Sequence, residues 1–291
     1  MTSVGAALTE GTAALAKAGV ETPRAEARLL LGHTMALTPA QVFARTEDNV
    51  GSDQLAAYYA CLGERCQGKP LAHITGRREF WSLDLAVSPE TLIPRPDTET
   101  VIDLARDVFR SRAAPMSILD LGTGSGCILL ALLTEFEDAT GIGMDSSPDA
   151  CRVAAANAES LGLATRTEIV EASWSDGLNG AFDLIVSNPP YIPSADIASL
   201  DAGVRDHEPV AALDGGADGL DAYRSLIPAA VTALSANGVL IVEIGAGQSA
   251  AVSEIAMALD LSKGPWRADL GGIERAVSFY KKGVGIPGTT G

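Results

Sequence analysis

The chain has 291 residues, of which 47% are apolar and 20% are charged, a balance that excludes a disordered chain and allows a sizeable buried core. Its formal net charge of −16 is uneven: residues 1–85 carry 8 basic and 9 acidic side chains, whereas residues 86–291 carry 13 basic and 28 acidic ones. Because phosphate contacts dominate nucleic-acid affinity, the acidic second part argues against a DNA or RNA partner and favours a basic one.

Cysteine usage and hydropathy narrow the class of protein further. The chain has four cysteines and three histidines, but no CxxC pair and no histidine at ligand-like spacing from a cysteine, so we expect neither disulfides nor a metal site. The N-terminus lacks the basic and apolar regions of a signal peptide, and the most apolar later stretch, 226–244, is interrupted by Pro228, Asn237 and Gly238. We therefore predict a cytoplasmic protein without a membrane span.

Residues 1–75 are predicted to form a small helical bundle. Apolar residues recur there at helical spacing, and turn residues separate three or four short helices. The pattern changes at residues 76–97, where an extended or hairpin segment leads into a proline-rich turn, Ile93–Asp97. We place the domain boundary in this hairpin and linker.

From residue 98 to residue 291 the predicted elements alternate. Strands alternating with helices predict an α/β domain with a parallel, doubly wound sheet and helices on both faces. The predicted helices cover about 98–111, 125–136, 148–161, 221–236 and 248–260, and the predicted strands cover 117–121, a strand ending at 145, then 166–171, 183–187, 239–244, 265–270 and 273–280.

A glycine-rich motif, Asp120-Leu-Gly122-Thr-Gly124-Ser-Gly126, lies at a predicted strand-to-helix junction. Glycines allow such a turn to approach a ligand closely, and Asp145 ends the next strand, where a carboxylate can accept hydrogen bonds from ribose hydroxyls. The pattern predicts a nucleotide-type ligand, although a tight loop without a ligand is the alternative.

The spacing of these glycines distinguishes between nucleotide ligands. Dinucleotide sites use GxGxxG, whereas this motif is GxGxG preceded by Asp120. A carboxylate there repels a pyrophosphate but can pair with an ammonium group. S-adenosylmethionine carries an ammonium and a sulfonium but no phosphate, so we prefer it to NAD. The form DxGxGxG resembles motif I of class I methyltransferases.

A second motif, Asn188-Pro189-Pro190-Tyr191, directly follows the predicted strand 183–187. Two prolines fix the backbone and remove two N–H donors, so carbonyl groups can point into a cleft. The Asn188 side-chain oxygen and the Pro189 carbonyl could accept both hydrogens of a substrate –NH2, which orients a weakly nucleophilic amide nitrogen and favours the charge that develops on it. Tyr191 could pack against a planar substrate group, and the alternative is a purely structural loop.

The two motifs, with the segments around them, resemble a known family. NPPY is shared by amino-methyltransferases that act on adenine, on cytosine N4 and on protein glutamine. Residues 92–99, LIPRPDTE, and residues 76–81, GRREFW, resemble the interdomain signature of the release-factor glutamine methyltransferases. Further similarities extend the resemblance over essentially the whole chain, at 204–205, 208–209, 213–220, 243–245 and Gln248.

This resemblance implies a class I, Rossmann-like methyltransferase domain and an N-terminal helical bundle that engages the release factor. It implies methyl transfer from S-adenosylmethionine, giving S-adenosylhomocysteine, to the glutamine nitrogen in the Gly-Gly-Gln motif of class I release factors. It also implies site roles: Gly122, Thr123, Gly124 and Gly126 around the methionine part of the cofactor, Asp120 near its ammonium, Asp145 on the ribose, Ser173 and Trp174 by the adenine, Asn188 between cofactor and substrate, and Pro189, Pro190 and Tyr191 in the glutamine slot. Ser173 departs from the family, which often has an acidic residue there.

Three other functions remain as alternatives. A ribosomal-protein glutamine methyltransferase shares NPPY but differs at the proline-rich junction. A DNA or RNA adenine N6-methyltransferase is disfavoured by the acidic second part, and a non-catalytic binder of S-adenosylmethionine is disfavoured by the intact NPPY. The roles of Arg95, Asp97 and Glu243 stay open between function and structure.

Overall fold

The computed structural model describes residues 1–110, 116–174 and 180–283. These residues fall into two compact units. The first unit comprises Met1–Arg77 and Asp201–His207, and the second comprises Arg78–Leu200 and Glu208–Gly291. Within the described residues, no helix is both long enough and apolar enough to cross a membrane.

The first unit is built from short helices around a small apolar core. Its helices between residues 1 and 77 are α1 (Val4–Lys17), α2 (Pro23–Met35), α3 (Pro39–Ala44), α4 (Ser52–Cys66) and α5 (Leu71–Thr75). The sequence predicted three or four helices in this part of the chain, and the structure has five, because α3 and α5 are too short to give a periodic apolar pattern. Buried side chains from α1, α2 and α4 meet in one cluster, which includes Val4, Leu15, Leu30, Leu31, Tyr58 and Leu62.

A two-stranded hairpin, β1 (Arg77–Phe80) and β2 (Leu83–Ala86), follows in the chain, and all of it except Arg77 belongs to the second unit. Its two turn residues, Trp81 and Ser82, both have left-handed backbones, with φ of 52° and 60°. Hydrogen bonds hold this turn in place. The Trp81 amide donates to Glu99 Oε1 at 2.9 Å, and the Trp81 indole donates to Glu135 Oε1 at 2.7 Å.

A seven-stranded sheet forms the body of the second unit. Its strands are β3 (Ser117–Leu121), β4 (Thr140–Asp145), β5 (Thr167–Glu171), β6 (Phe182–Ser187), β7 (Leu234–Glu243), β8 (Leu261–Ala268) and β9 (Glu274–Lys281), arranged in the order β5-β4-β3-β6-β7-β9-β8. The helices are α6 (Glu99–Phe109), α7 (Cys127–Glu135), α8 (Pro148–Ser160), α9 (Ala202–Arg205), α10 (Asp221–Ala233) and α11 (Ser249–Met257), of which α9 belongs to the first unit.

Helices cover both faces of this sheet, as the alternating pattern predicted. Neighbouring strand residues point into different cores: Ile118 joins the cluster formed with α6 and α7, whereas Leu119 joins the cluster formed with α10 and α11. Such a doubly wound sheet has a crevice at the carboxyl ends of its strands, where the strand order reverses. Here the reversal falls at β3, which pairs with β4 on one side and with β6 on the other.

The prediction of a wholly parallel sheet is wrong at one strand. β9 runs antiparallel to both of its neighbours, β7 and β8. Only residues 269–273 join β8 to β9, and so short a connection can link antiparallel strands but not parallel ones. In addition, β8 begins at Leu261 rather than near residue 265.

Candidate functional site

A cavity of about 490 Å³ lies at the carboxyl ends of the central strands. The elements that lead into it follow β3, β4 and β6, the three strands around the point where the strand order reverses. Eight of the residues predicted for the site line this cavity together: Gly122, Thr123, Gly124, Asp145, Ser173, Trp174, Asn188 and Pro190.

The glycine-rich loop is held against the end of β4 by its backbone. The amides of Gly122 and Thr123 both donate to the Met144 carbonyl, at 2.8 and 2.9 Å. Gly122 and Gly124 have φ of 77° and 56°, in the left-handed region that glycine adopts without a steric penalty. The loop therefore turns sharply and presents its backbone at the cavity.

Asp145 fixes the two loops that flank it. Its Oδ2 accepts a hydrogen bond from the Gly124 amide and its Oδ1 accepts one from the Ser147 amide, both at 2.9 Å. A carboxylate has about four lone-pair sites, so Asp145 keeps acceptor capacity toward the cavity that it lines.

Two residues predicted to contact the cofactor, Asp120 and Gly126, are not among those that line the cavity. Asp120 is fully buried, and its Oδ2 accepts a hydrogen bond from the Thr123 hydroxyl at 2.7 Å. Burial raises the pKa of Asp120 to about 7, and the bond from Thr123 opposes that rise. Gly126 is the N-cap of α7 with a φ of 82°, and a Cβ there would lie 3.1 Å from the Leu130 side chain.

The NPPY tetrad divides between the cavity wall and the protein interior. Asn188 and Pro190 line the cavity, and the Asn188 Nδ2 donates to Thr98 Oγ1 at 3.2 Å. Pro189 is buried, and Tyr191 is half-buried, with its hydroxyl 3.4 Å from Glu243 Oε1.

The backbone after the tetrad is held by a side chain from the loop before α11. The Gln248 Nε2 donates to the carbonyls of Tyr191 and Gly219, at 3.0 and 3.2 Å, while its Oε1 accepts from the Gly245 amide at 3.0 Å. Ile192 also pairs with Asp214 as an isolated bridge. These contacts give a structural reason for the family-like residues at 213–220 and at Gln248.

Glu243 ends β7 as a buried carboxyl beside the tetrad. Burial raises the pKa of Glu243 to about 7, whereas the nearby hydroxyls of Thr98 and Tyr191 and the charge of Arg275 lower it. Burial and the nearby Glu243 also raise the pKa of Tyr191 well above its usual value, so its phenol stays protonated.

One wall of the cavity comes from residues to which the sequence had assigned no site role. Thr91, Leu92, Pro94 and Thr98, in or beside the proline-rich segment 92–99, line it. Pro209, Ala211 and Ala212 also line the cavity. The family-like sequence of these segments was the available signal, but a signature alone does not reveal which residues face a cavity.

Buried and ionic contacts anchor the proline-rich segment. Glu208 accepts a hydrogen bond from the Ile93 amide at 3.1 Å and forms an ion pair with Arg95. Asp97 lies 3.2 Å from Arg275. Arg95 and Asp97, whose roles the sequence left open, therefore take part in ion pairs that hold this wall.

Asn157 is another residue for which the sequence predicted no role. It is buried on α8, and its side-chain amide exchanges two hydrogen bonds with the Ala86 backbone, at 2.8 and 2.9 Å. The same Nδ2 donates to the Ser125 carbonyl at 2.8 Å. Asn157 thus ties the glycine-rich loop to the β1–β2 hairpin.

Comparison with known proteins defines the class first. Residues 6–76 match the PrmC N-terminal domain, and residues 100–200 match the methyltransferase small domain. Among solved structures, the catalytic domain of hMettl16, crystallised with a 3′UTR hairpin, is similar with a TM-score of 0.59 and 16% identity, covering 78% of this chain and 84% of that one. The protein is a methyltransferase, and its cofactor is S-adenosylmethionine.

Curated relatives define the family. The release factor glutamine methyltransferase of Rhodospirillum rubrum is 44% identical over 282 residues, which cover 97% of this chain and 86% of the relative. That of Bradyrhizobium diazoefficiens is 46% identical over 273 residues, which cover 92% of each chain. The chain belongs to the family of release factor glutamine methyltransferases. This membership and the observed sheet confirm the family resemblance and the fold class predicted from the sequence.

Proposed function

We propose that this protein transfers a methyl group from S-adenosylmethionine to the side-chain amide nitrogen of a glutamine, the one in the Gly-Gly-Gln motif of class I peptide chain release factors. The observation that carries the proposal is the Asn188 carboxamide, which lines the cavity beside the glycine-rich loop while Thr98 holds its nitrogen. The relatives named as release factor glutamine methyltransferases, at 44% and 46% identity, support the choice of substrate.

The residues around the cavity fit S-adenosylmethionine. The loop at Gly122 and Gly124 leaves room for close approach, and Asp145 keeps free lone pairs for ribose hydroxyls. Trp174 offers an aromatic face, and Ser173 lines the cavity beside it. When bound, the cofactor supplies an electrophilic methyl group on a positively charged sulfur.

Asn188 and the prolines provide the acceptor side of the reaction. An amide nitrogen is a weak nucleophile, and acceptors for its two N–H bonds orient it and favour the positive charge that develops during transfer. The Asn188 Oδ1 supplies one acceptor, and Pro189 and Pro190 have no N–H to compete for it. Alignment of the reactants is worth roughly 7–11 kcal/mol when it is good. No strong base is required, because the methylated amide loses its proton readily.

The wider organisation follows from the same proposal. Residues 1–75 form a domain for recognition of the release factor, residues 76–97 form a hairpin and linker, and residues 98–291 form the transferase domain. The acidic balance of residues 86–291 supports a basic protein partner and no direct nucleic-acid binding. The protein acts in the cytoplasm, where release factors work.

Methyl transfer to a purified release factor tests this proposal. Labelled S-adenosylmethionine is incubated with the enzyme and with an unmethylated factor, a Gly-Gly-Gln→Gly-Gly-Ala factor, DNA or ribosomal protein. We expect label on the unmodified factor alone. Label on DNA or on ribosomal protein, or equal label on the Gly-Gly-Ala factor, would contradict the proposal.

A further inference from the structure

Asn157 directs both ends of its side-chain amide at backbone groups. The residue lies on α8 and is 1% exposed. Its Oδ1 accepts a hydrogen bond from the Ala86 amide at 2.8 Å, and its Nδ2 donates to the carbonyls of Ala86 and Ser125, at 2.9 and 2.8 Å. Backbone N–H groups only donate and carbonyl groups only accept, so a single orientation of the Asn157 amide satisfies all three contacts.

The contact with Ser125 fixes one peptide group of the glycine-rich loop. The carbonyl of this peptide group belongs to Ser125 and is held by Asn157, and its N–H belongs to Gly126 and donates to the Thr123 carbonyl at 2.8 Å. Because a peptide group is planar, hydrogen bonds at both of its polar ends leave it little freedom to rotate. Asn157 therefore holds the loop at the point where it turns into α7.

The earlier part of the loop is held by the end of β4. The amides of Gly122 and Thr123 bond the Met144 carbonyl, and the Gly124 amide bonds Asp145. Asn157 extends these contacts by one residue, to Ser125, which lines the cavity. Asn157 itself is not among the residues that line the cavity, so its influence on a ligand there is exerted through the loop.

The contacts with Ala86 connect Asn157 to a second part of the cavity wall. Ala86 is the last residue of β2, and the chain continues from there to Glu90, Thr91 and Leu92, which line the cavity. Asn157 thus lies between two segments of the wall. It bonds the backbone of the glycine-rich loop directly, and it bonds the backbone from which the other segment begins.

We propose that Asn157 is a positioning residue for cofactor binding, which holds the glycine-rich loop in the conformation that accepts S-adenosylmethionine. The inference rests on the proposed function for its cofactor and does not depend on the methyl acceptor. Without the contacts of Asn157, the loop would occupy the binding conformation for only a fraction of the time. The apparent dissociation constant of the cofactor would then rise by the inverse of that fraction.

Calorimetric titration with S-adenosylmethionine tests the proposal. Asn157→Ala removes all three contacts, and Asn157→Asp keeps an acceptor for the Ala86 amide but turns an oxygen toward the two carbonyls. Both variants should weaken cofactor affinity about tenfold or more, whereas kcat at saturating cofactor should stay within about threefold. Asn157→Ala introduces no charge, so it decides the question should Asn157→Asp fail to fold.

Two control variants separate positioning from a general loss of stability. Ala155→Gly increases the backbone freedom of α8 at an exposed position, and Asn49→Asp makes the same chemical change as Asn157→Asp at another exposed position. Both controls should bind S-adenosylmethionine as the wild type does. Wild-type affinity in Asn157→Ala would overturn the inference, and so would an equal loss of affinity in Ala155→Gly.

Hydrogen exchange of the cofactor-free enzyme tests the contact without a ligand. In Asn157→Ala, the Ala86 amide loses its acceptor and should exchange faster, and the Gly124 and Gly126 amides of the loop should exchange faster as well. The Ile192 amide, which is hydrogen-bonded directly after the NPPY tetrad, should not change. Faster exchange at Ala86 alone would show that the loop is held without Asn157 and would overturn the inference.

The outcomes for this inference and for the proposed function are distinguishable. A wild-type enzyme that binds S-adenosylmethionine but labels no release factor would contradict the proposed function. The comparison of cofactor affinities between the wild type and the Asn157 variants would remain valid.

Discussion

The two motifs at the cavity are held in different ways. The glycine-rich loop has side-chain partners nearby in the chain: Asp145 lies 21 positions from Gly124, and Asn157 lies 32 positions from Ser125. The tetrad depends on distant residues: Thr98 lies 90 positions before Asn188, and Glu243 and Gln248 lie 52 and 57 positions after Tyr191. The cofactor side of the site, which is the glycine-rich loop with its partners, is therefore built from neighbouring parts of the chain. The acceptor side, which is the NPPY tetrad with its partners, is assembled from distant parts of the chain.

The largest expected effect is a loss of transfer rate, and it distinguishes the acceptor side of the site from the cofactor side. Asn188→Ala should lower the rate of methyl transfer on the order of 10²–10³-fold, because the substrate nitrogen loses an oriented acceptor. Affinity for S-adenosylmethionine should change only a few-fold, since the glycine-rich loop keeps its own contacts. Single-turnover transfer and calorimetry measure the two effects. An equal loss of affinity would show that the two sides are not separable.

The acceptor side should also lower the free energy of unfolding, because it contains the buried carboxyl group of Glu243. Burial raises the pKa of Glu243 from 4.5 to about 7, so the folded protein binds a proton more tightly than the unfolded chain. Wild-type stability should therefore fall as the pH rises between these two values, and stay at the lower level above them.

Glu243→Gln removes this dependence. It should raise the free energy of unfolding by up to about 3 kcal/mol above neutral pH, and the gain should shrink toward zero near the pKa of the unfolded chain. Urea denaturation at about pH 8 and about pH 5 measures the difference. A stabilisation of equal size at both pH values would mean that the charge of Glu243 is not its cause.

On the cofactor side, Asp145→Ala should act mainly on binding. The loss of a charged acceptor for two backbone amides and for the ligand should weaken affinity for S-adenosylmethionine about 10- to 100-fold. The kcat at saturating cofactor should stay near the wild-type value. The control is Asp138→Ala, the same change at an exposed position outside the cavity. Unchanged affinity in Asp145→Ala would show that the glycine-rich loop binds without it.

The smallest expected effect is a loss of stability, and it tests whether the glycine-rich loop depends mainly on its own backbone conformation. Gly124 has a φ of 56°, and an added Cβ would meet nothing within 4 Å. A substitution there therefore changes only the conformational energy of the backbone. Gly124→Ala should cost about 1–2 kcal/mol of stability, and Gly124→Asn should cost less, because asparagine tolerates the left-handed region. Urea denaturation compares the two variants. A larger cost for asparagine than for alanine would contradict a purely conformational origin.

The same contrast explains how far the sequence could be interpreted. The strand Ser117–Leu121, the glycine turn and the end of β4 at Asp145 were predicted correctly, because each is encoded by neighbouring residues. The direction of β9 was not, because it depends on which strand lies beside it in the sheet. Thr98 belongs to the interdomain signature 92–99, but its contact with Asn188 cannot be inferred from the spacing of the two residues.

The two acidic residues near the motifs illustrate the limit at the level of side chains. Asp120 and Asp145 both looked suited to contact a cofactor, and only Asp145 lines the cavity. Asp120 is the fourth residue of a five-residue buried strand, and strand residues alternate between faces, so its burial depends on what packs against that face. One-dimensional patterns identify such residue types but not their exposure.

Among the residues that line the cavity is a cysteine, Cys127 at the start of α7. Thiolates react with alkylating agents far more readily than amides do. A Cys127 thiolate would therefore compete with the substrate for the methyl group of S-adenosylmethionine. Burial, reinforced by the charges of Asp120 and Glu243, raises the pKa of the Cys127 thiol to about 12. At neutral pH the thiol therefore stays protonated. A protonated thiol is a weak nucleophile, so the same burial that raises this pKa makes Cys127 a slow target for the methyl donor.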